Sequence, residues 1–594
     1  MSRMTARKTS GFRSKSSASV TEEVSRLRVL KLVFLCGFLA ILVRLGYWQI
    51  WKHTELASAA ADQYASNVRL TPKRGTIRDR NGQILVTNEE RYRLFAEPHR
   101  LELPASEIAD KLTPILLKSL DPDPVQASDE AWLKAQEVAI KSSLLDKTAD
   151  SSKKWVALAT RLTREQKSEI EAHDISGLGF DTEMVRNYPD ASVSAQLLGF
   201  VGKTDAGEDQ GYFGLEGFYD LELRGRSGVM RQQTSALGLP LLLGESQRLD
   251  EDEGSELTLT IDKSLQYQIE EKLKDALERY GAVSGDVTVM DPNTGAILAM
   301  ASFPNYDPSE FMEYSPSSYR NPIVSDLYEP GSTLKIVTAA AGIESGAITP
   351  ETQCDRCAGP RTISGFTIRT WNDTYTANID MRNALANSDN TAMVFIQEQV
   401  GKNPFLKTFR DFGLGEKTGV DLQGEGQFQF RPDEDWRTID VATSSFGQGI
   451  ATTSLQVTRA AAAIANGGKL LRPYVVQSIT SQGQTVTTQP KVLREVVSLE
   501  TTRTVTDMMV YTASQGDAKW VLPEGVTVAG KTGTAQIAEN GQYLEDKTIA
   551  SFVGFAPAEN PKFVMLVKLR EPTSSPWGSE TAAPLWFEIL PLLL

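Results

Sequence analysis

Apolar residues run almost unbroken through LVFLCGFLAILVRLGYWQIW, residues 32–51, where Arg44 is the one charge. That is roughly the twenty residues a helix needs to cross a bilayer. Much further along, GDVTVMDPNTGAILAMAS alternates with a period of two, breaks at 291–295 and alternates again. This predicts a β-hairpin with strands over 286–290 and 297–301. Three more strands are predicted near the carboxyl end, at 526–537, 548–556 and 562–569, with AENGQYLED and PAENP as the turns between them. The residues between the two strand groups read as helical. Five strands divided around a helical centre predict an α+β domain, one antiparallel sheet with helices packed on both faces. Residues 57–256 are mixed and acidic, with helical patches such as SEIADKLTPILLKSL and turn clusters such as LDPDP and DKTADSSKK. No chemistry can be named there, and a scaffold or docking role is the expectation.

Charge orients the apolar run. Arg3, Arg7, Lys8, Arg13, Lys15, Arg26, Arg28 and Lys31 precede it against Glu22 and Glu23, so the amino terminus is expected inside and everything after Trp51 outside. Arg44 lies toward the outer end and can snorkel, with Tyr47, Trp48 and Trp51 as interfacial anchors. The competing reading is a cleaved signal peptide, for which ASAAA at 57–61 offers small residues. The apolar run outlasts an ordinary signal core, which favours a retained anchor. The expected plan is a basic cytoplasmic tail at 1–31, a transmembrane helix at 32–51, an elongated mixed α/β pedestal at 52–256 and a catalytic domain at 257–594. A formal net charge of −14 over 594 residues disfavours a general nucleic-acid binder. Of three cysteines, Cys36 falls in the span. Cys354 and Cys357 form CDRC, open to a local disulfide, half a zinc site or two free thiols.

Residues 329–338 read EPGSTLKIVT, then AAAGIESG. If a helix begins near Ser332, Lys335 shares its face in apolar surroundings. Burial lowers a lysine pKa, and a neutral amine can take a serine proton. The bland alternative makes Ser332 a helix cap and Lys335 a snorkelling surface residue, and a lone SxxK occurs by chance in most chains of this length. Histidine usage sharpens the choice. The only three histidines are His53, His99 and His173, so residues 257–594 cannot hold a Ser-His-Asp triad. Two further candidates are Ser388-Asp389-Asn390, alone best read as a helix cap, and Lys531-Thr532-Gly533-Thr534 on a predicted strand. GVTVAGKT at 525–532 also fits GxxxxGK[ST]. Its middle residues are strand formers and no helix follows, which argues against a phosphate-binding loop.

In sequence, SxxK, SxN and KTG are far more specific than any one alone. Their order resembles the penicillin-binding protein and serine β-lactamase superfamily. RGTIRDRNGQILVTN, GLEGFYDLELRGRSG, TLTID, MDPNTGAILAM, EPGSTLK, FGQGI and WGSETAAPLWFEI extend the likeness to class B penicillin-binding proteins from residue 32 to the end. The resemblance implies a penicillin-binding transpeptidase fold and a peptidoglycan D,D-transpeptidase that needs no cofactor and no metal. It implies Ser332 as the nucleophile acylated by a D-Ala-D-Ala stem peptide and Lys335 as its base. Ser388 and Asn390 would relay protons and hold the substrate amide, with Lys531 supplying positive potential. Thr532, Gly533 and Thr534 would bind substrate, the two threonines meeting its carboxylate. The backbone N–H groups of Ser332 and Thr534 would form the oxyanion hole, and the strand at 531–536 would pair with the stem peptide. Asp389 departs from the Ser or Cys usual at that position and is expected to point away from the cleft. Implied partners are lipid-linked nascent glycan, the membrane, β-lactam inhibitors and a SEDS-family glycosyltransferase with other division proteins. EGFYDLELRGRSG leans toward the division type over the elongation type. The alternatives are a D,D-carboxypeptidase, a β-lactam sensor and an idle scaffold.

Overall fold

A computed structural model describes residues 18–118, 120, 129–233, 246–539 and 542–594. The leader residues Arg3 to Lys15, the DPDP turn at 121–124 and the tip of the AENGQYLED turn at 540–541 lie outside these. The chain forms two compact units, one of residues 1–71 with 227–252, the other of 72–226 with 253–594.

The first unit opens with a helix, Ala18–Gly46, that continues as one wider turn over Tyr47–Trp51. Its membrane-compatible stretch is Arg26–Trp51, longer at the amino end than the run at 32–51, because Leu27, Val29 and Leu30 extend the apolar surface. The segment 57–61, weighed above as a cleavage site, is helical within His53–Tyr64. Ala65–Leu70 then pairs antiparallel with Gly228–Gln233, which pairs with Ser246–Leu249.

In the second unit, residues 72–226 build a sheet on the long strand Ile84–Ala96. Leu178–Asn187 pairs antiparallel along much of it, and Val156–Leu162 pairs on the other edge. Ile77–Arg78 joins this sheet to Glu256–Leu259, and through that strand to Val476–Ser481. One sheet therefore takes strands more than two hundred residues apart. Glu216 is fully buried yet paired on both oxygens, with Arg74 Nε at 2.6 Å and Arg186 Nε at 2.6 Å. Breaking such a pair would strand a charge in the interior, so the triad fixes how these strands and the turn at Glu216 meet.

The remainder of this unit uses helices α1 (Lys263–Tyr280), α2 (Lys335–Glu344), α3 (Met381–Ala386), α4 (Asn390–Val400), α5 (Ser454–Ala465), α6 (Leu499–Gln515) and α7 (Ala582–Ile589). Its strands are β1 (Ser284–Met290), β2 (Ile297–Phe303), β3 (Ala529–Glu539), β4 (Gln542–Ala556) and β5 (Phe563–Arg570). They form one antiparallel sheet in the order β2-β1-β5-β4-β3. The predicted strand at 526–537 starts three residues later, at Ala529, because 526–528 join no strand ladder and Thr527 O accepts instead from Ala558 N at 2.9 Å. Alternation assigns the faces. Met565, Val567 and Leu569 pack with α1 and α7, whereas Val564 and Leu566 pack with α2, α4, α5 and α6. Both faces are covered, which explains why β5 is apolar almost throughout.

Candidate functional site

The turn before α2 is set by backbone geometry. Gly331 adopts φ +56°, and a Cβ there would lie 3.1 Å from Thr534 O, so glycine lets the turn press against β3. Gly447, at φ +81°, closes the other side. Its carbonyl accepts from Gly331 N at 3.0 Å, and a Cβ on it would sit 2.1 Å from Gly331 O. Gly331–Leu334 then makes a single tight turn and α2 begins at Lys335. Ser332 does not cap the helix. It is partly exposed to a cleft, while Lys335 is 0% exposed, so neither bland reading of the pair survives.

Lys335 Nζ lies 2.6 Å from Ser388 O, 2.8 Å from Asn390 Oδ1 and 3.1 Å from Ser388 Oγ. A neutral amine has two N–H bonds, which suit the carbonyl and the amide oxygen, and a lone pair that suits the Ser388 hydroxyl. Among the described residues the amine hydrogen-bonds Ser388 and Asn390 and not Ser332 Oγ. The sequence pairs Ser332 with Lys335 directly; the fold inserts a second hydroxyl beside them. Ser388 reaches that place because α3 ends just before it and its own backbone turns to φ +56°, which costs a non-glycine residue about 1–2 kcal/mol. Asp389 is the cap of α4, accepting from Thr391 N at 2.7 Å and Ala392 N at 3.1 Å. It thus points away from the cleft, as expected, and α4 begins at Asn390. Asn390 is steadied from behind by donating to Arg369 O at 2.8 Å.

Lys531, on β3, completes the cluster. It is 1% exposed and donates to Ser388 Oγ at 3.1 Å and Thr532 O at 3.0 Å. Its place in a strand register, opposite Val553, excludes a phosphate-binding loop at 525–532. Gly533 lies where a Cβ would meet Ser551 Oγ at 2.4 Å and Thr333 Cγ2 at 2.7 Å, so β3 can approach the serine turn only with glycine there. Thr534 Oγ1 accepts from Gly578 N at 3.1 Å, which orients the hydroxyl from the WGSET segment.

The electrostatics follow from burial. Removing the Lys335 ammonium from water pushes its pKa well below the usual lysine range, the positive charge of Lys531 pushes it further, and Asp389 opposes weakly. Burial lowers Lys531 to about 8, with Asp517 pulling the other way. One lysine is thus poised to stay neutral and the other to stay charged at neutral pH. Such an arrangement can deprotonate a serine, hold an anionic group beside Thr532 and Thr534, and return the proton through Ser388.

The cleft has a volume of about 470 Å3. Ser332, Ser388, Asn390, Thr532 and Thr534 all line it, so the three motifs meet at one place. Sequence reasoning assigned no role to Trp371 and Trp577, which meet edge to face across 4.8 Å at its rim. It also missed Glu329, which accepts from Gly449 N at 3.0 Å and Tyr543 OH at 2.9 Å and ties the FGQG turn to β4. The glycine spacing in FGQG was the available signal for that turn. The CDRC question is answered by a disulfide between Cys354 and Cys357, with Cα atoms 5.6 Å apart. Gln353–Cys354 pairs with Ile379–Asp380, and Asp380 caps α3, so this staple lies at the base of the segment that carries Arg369 and Trp371.

Comparison with known proteins agrees with this geometry. Residues 285–590 match the penicillin-binding protein transpeptidase domain, and residues 69–259 match the penicillin-binding protein dimerisation domain. The chain is 33% identical over 567 residues to stage V sporulation protein D of Bacillus subtilis, covering 94% of this chain and 84% of that protein. It is 28% identical over 562 residues to the probable peptidoglycan D,D-transpeptidase PbpC of Pseudomonas aeruginosa, covering 94% and 93%. Penicillin binding protein 2X from Streptococcus thermophilus superposes with a TM-score of 0.72 at 23% identity, over 88% of this chain and 79% of that one.

Proposed function

We infer, for a chain that belongs to the class B penicillin-binding proteins, that Ser332 carries the acyl group in peptidoglycan D,D-transpeptidation. The observation that carries this reading is the fully buried Lys335 amine, held by Ser388 and Asn390 one helical turn from Ser332. A neutral Lys335 takes the Ser332 proton as Oγ bonds to the carbonyl carbon of the penultimate D-Ala. The Ser388 hydroxyl, 3.1 Å from both lysine nitrogens, passes a proton to the departing nitrogen of the terminal D-Ala. Charge on Lys531, with the Thr532 and Thr534 hydroxyls, holds the terminal carboxylate. Backbone N–H groups of Ser332 and Thr534 receive the oxyanion, a role that the close approach of Gly331 to Thr534 supports. An amine from a second strand then displaces Ser332 and forms the cross-link. β-Lactams acylate the same serine.

The reading extends to septal wall synthesis during division, supported by EGFYDLELRGRSG and the other class B stretches. In this reading the helix over Arg26–Trp51 is an anchor with the amino terminus cytoplasmic and the catalytic part outside. Residues 52–256 form the pedestal, and a SEDS-family glycosyltransferase and other division proteins are its partners. The direct test incubates detergent-solubilised full-length protein with a peptide ending in D-Ala-D-Ala and an amine acceptor. Free D-Ala together with the cross-linked peptide is the expected result, and D-Ala release without cross-link would indicate a carboxypeptidase. A fluorescent fusion is expected at midcell, and sidewall placement would support an elongation role instead.

A further inference from the structure

A transpeptidase has two substrates, and the groups described so far serve the first. The second strand brings a primary amine, which arrives at neutral pH as an ammonium ion because an alkylamine holds its proton to about pH 10. It must enter the space that the departing D-Ala leaves beside Thr532 and Thr534. The cleft wall shared with those threonines is the loop after α6, where Gly516, Asp517, Lys519 and Trp520 all face the cavity. The start of this loop is fixed: Gly516 N donates to Thr512 O at 2.8 Å, and Lys519 N donates to Gly516 O at 3.2 Å. Asp517 is exposed and makes no hydrogen bond or ion pair among the described residues. The other carboxylate in the cleft, Glu580, is engaged by Ser575 Oγ at 2.6 Å. Partial burial of the Asp517 carboxylate raises its pKa, while Lys531 and, less strongly, Lys519 lower it from a distance without pairing with it.

We propose that Asp517 receives the ammonium group of the acceptor strand, making the loop at 516–520 the acceptor subsite of the transpeptidase reaction. The inference rests on the acyl-enzyme reading above. On leaving Asp517 the ammonium gives one proton to solvent. Its nitrogen attacks the Ser332 ester, the C–N bond forms as the C–Oγ bond breaks, and the second proton passes through Lys335 to Ser332 Oγ. Asp517 holds the acceptor nitrogen only while it is an ammonium ion and takes no proton in this scheme; it raises the local concentration of one class of acceptor.

The test compares a charged and an uncharged nucleophile on the same acyl-enzyme, which cancels any effect on acylation. Full-length protein in detergent is acylated by a thioester donor peptide in the presence of methanol and a lysine-bearing peptide amide. The ratio of amide to methyl ester is then read by mass spectrometry. Asp517→Asn is expected to lower that ratio about fivefold, the size of one partly exposed ion pair, and Asp517→Glu to restore it. Lys519→Gln, which removes a cation from the same loop, is expected to raise it. A merely structural loop would not move the two variants in opposite directions. An unchanged ratio in Asp517→Asn overturns the proposal, whatever Lys519→Gln does. Failure of the unaltered protein to form any acyl-enzyme would sink the transpeptidase reading together with this one.

Discussion

Replacing Lys531 by glutamine asks whether charge on one lysine keeps the other neutral. Both amines stand 3.1 Å from the Ser388 hydroxyl, so they are at most about 6 Å apart. At an effective dielectric constant of about 20, two unit charges at that distance repel by about 3 kcal/mol. That is on the order of a hundredfold in the proton affinity of Lys335. The sign is definite. Losing a neighbouring positive charge raises the Lys335 pKa, so the base becomes neutral only at higher pH. The acidic limb of the acylation profile should therefore move up by about two pH units in Lys531→Gln. In the unaltered protein the alkaline limb should lie near pH 8, where Lys531 discharges. Lys531→Arg, which stays charged, should remove that alkaline limb. The assay is the second-order rate of acylation by a fluorescent penicillin, measured by stopped flow from pH 5 to 10. Midpoints are read in preference to rates, because losing Lys531 also weakens carboxylate binding at every pH. A uniformly slower Lys531→Gln with an unmoved acidic midpoint would refute the coupling.

Ser388→Ala removes the hydroxyl shared by the two lysines and should slow acylation by about a hundredfold or more, with the melting temperature little changed. Gly447→Ala forces a side chain into a φ of +81° and against Gly331 O, which should cost about 1–2 kcal/mol from the backbone alone. The resulting displacement of the serine turn should reduce penicillin labelling by about a hundredfold, read on gels beside a thermal melt. Glu270, buried while accepting from Ser194 N and Gln266 Nε2, has its pKa raised by burial to about 7. Its folded-state pKa exceeds the unfolded one, so its stabilising protonation is complete below about pH 4.5 and lost as pH rises through 7. Glu270→Gln keeps an acceptor oxygen and should stabilise the protein by up to about 3 kcal/mol at pH 8 and by little at pH 5, measured by denaturant melts at both pH values.

The catalytic sheet was legible because each strand announced itself locally. β1 and β2 alternate around the Asp-Pro-Asn-Thr-Gly turn, and β5 is apolar on both faces because helices cover both. Lys335 was legible for a related reason, since a cation among alanine, isoleucine and valine on one helix has nowhere polar to go. What stayed hidden depends on distant partners. The junction of Ile77–Arg78, Glu256–Leu259 and Val476–Ser481 leaves no local trace, because strand pairing across the chain is decided by packing and not by neighbours in sequence. The same holds for Ser388. Its motif read as a helix cap, and Asp389 is one; only the fold shows the serine hydroxyl between two buried lysines. Asp517 carried no motif at all; among the described residues it is unpaired, on a cleft wall that the sequence could not place.

The account stands on Ser332 as the acylated residue, and mass spectrometry tests that most directly. Full-length protein is treated with penicillin, digested and mapped. One penicilloyl adduct on the peptide carrying Ser332, absent from Ser332→Ala and from Lys335→Ala, is the predicted result. An adduct on any other residue, or labelling that persists in Ser332→Ala, would contradict it.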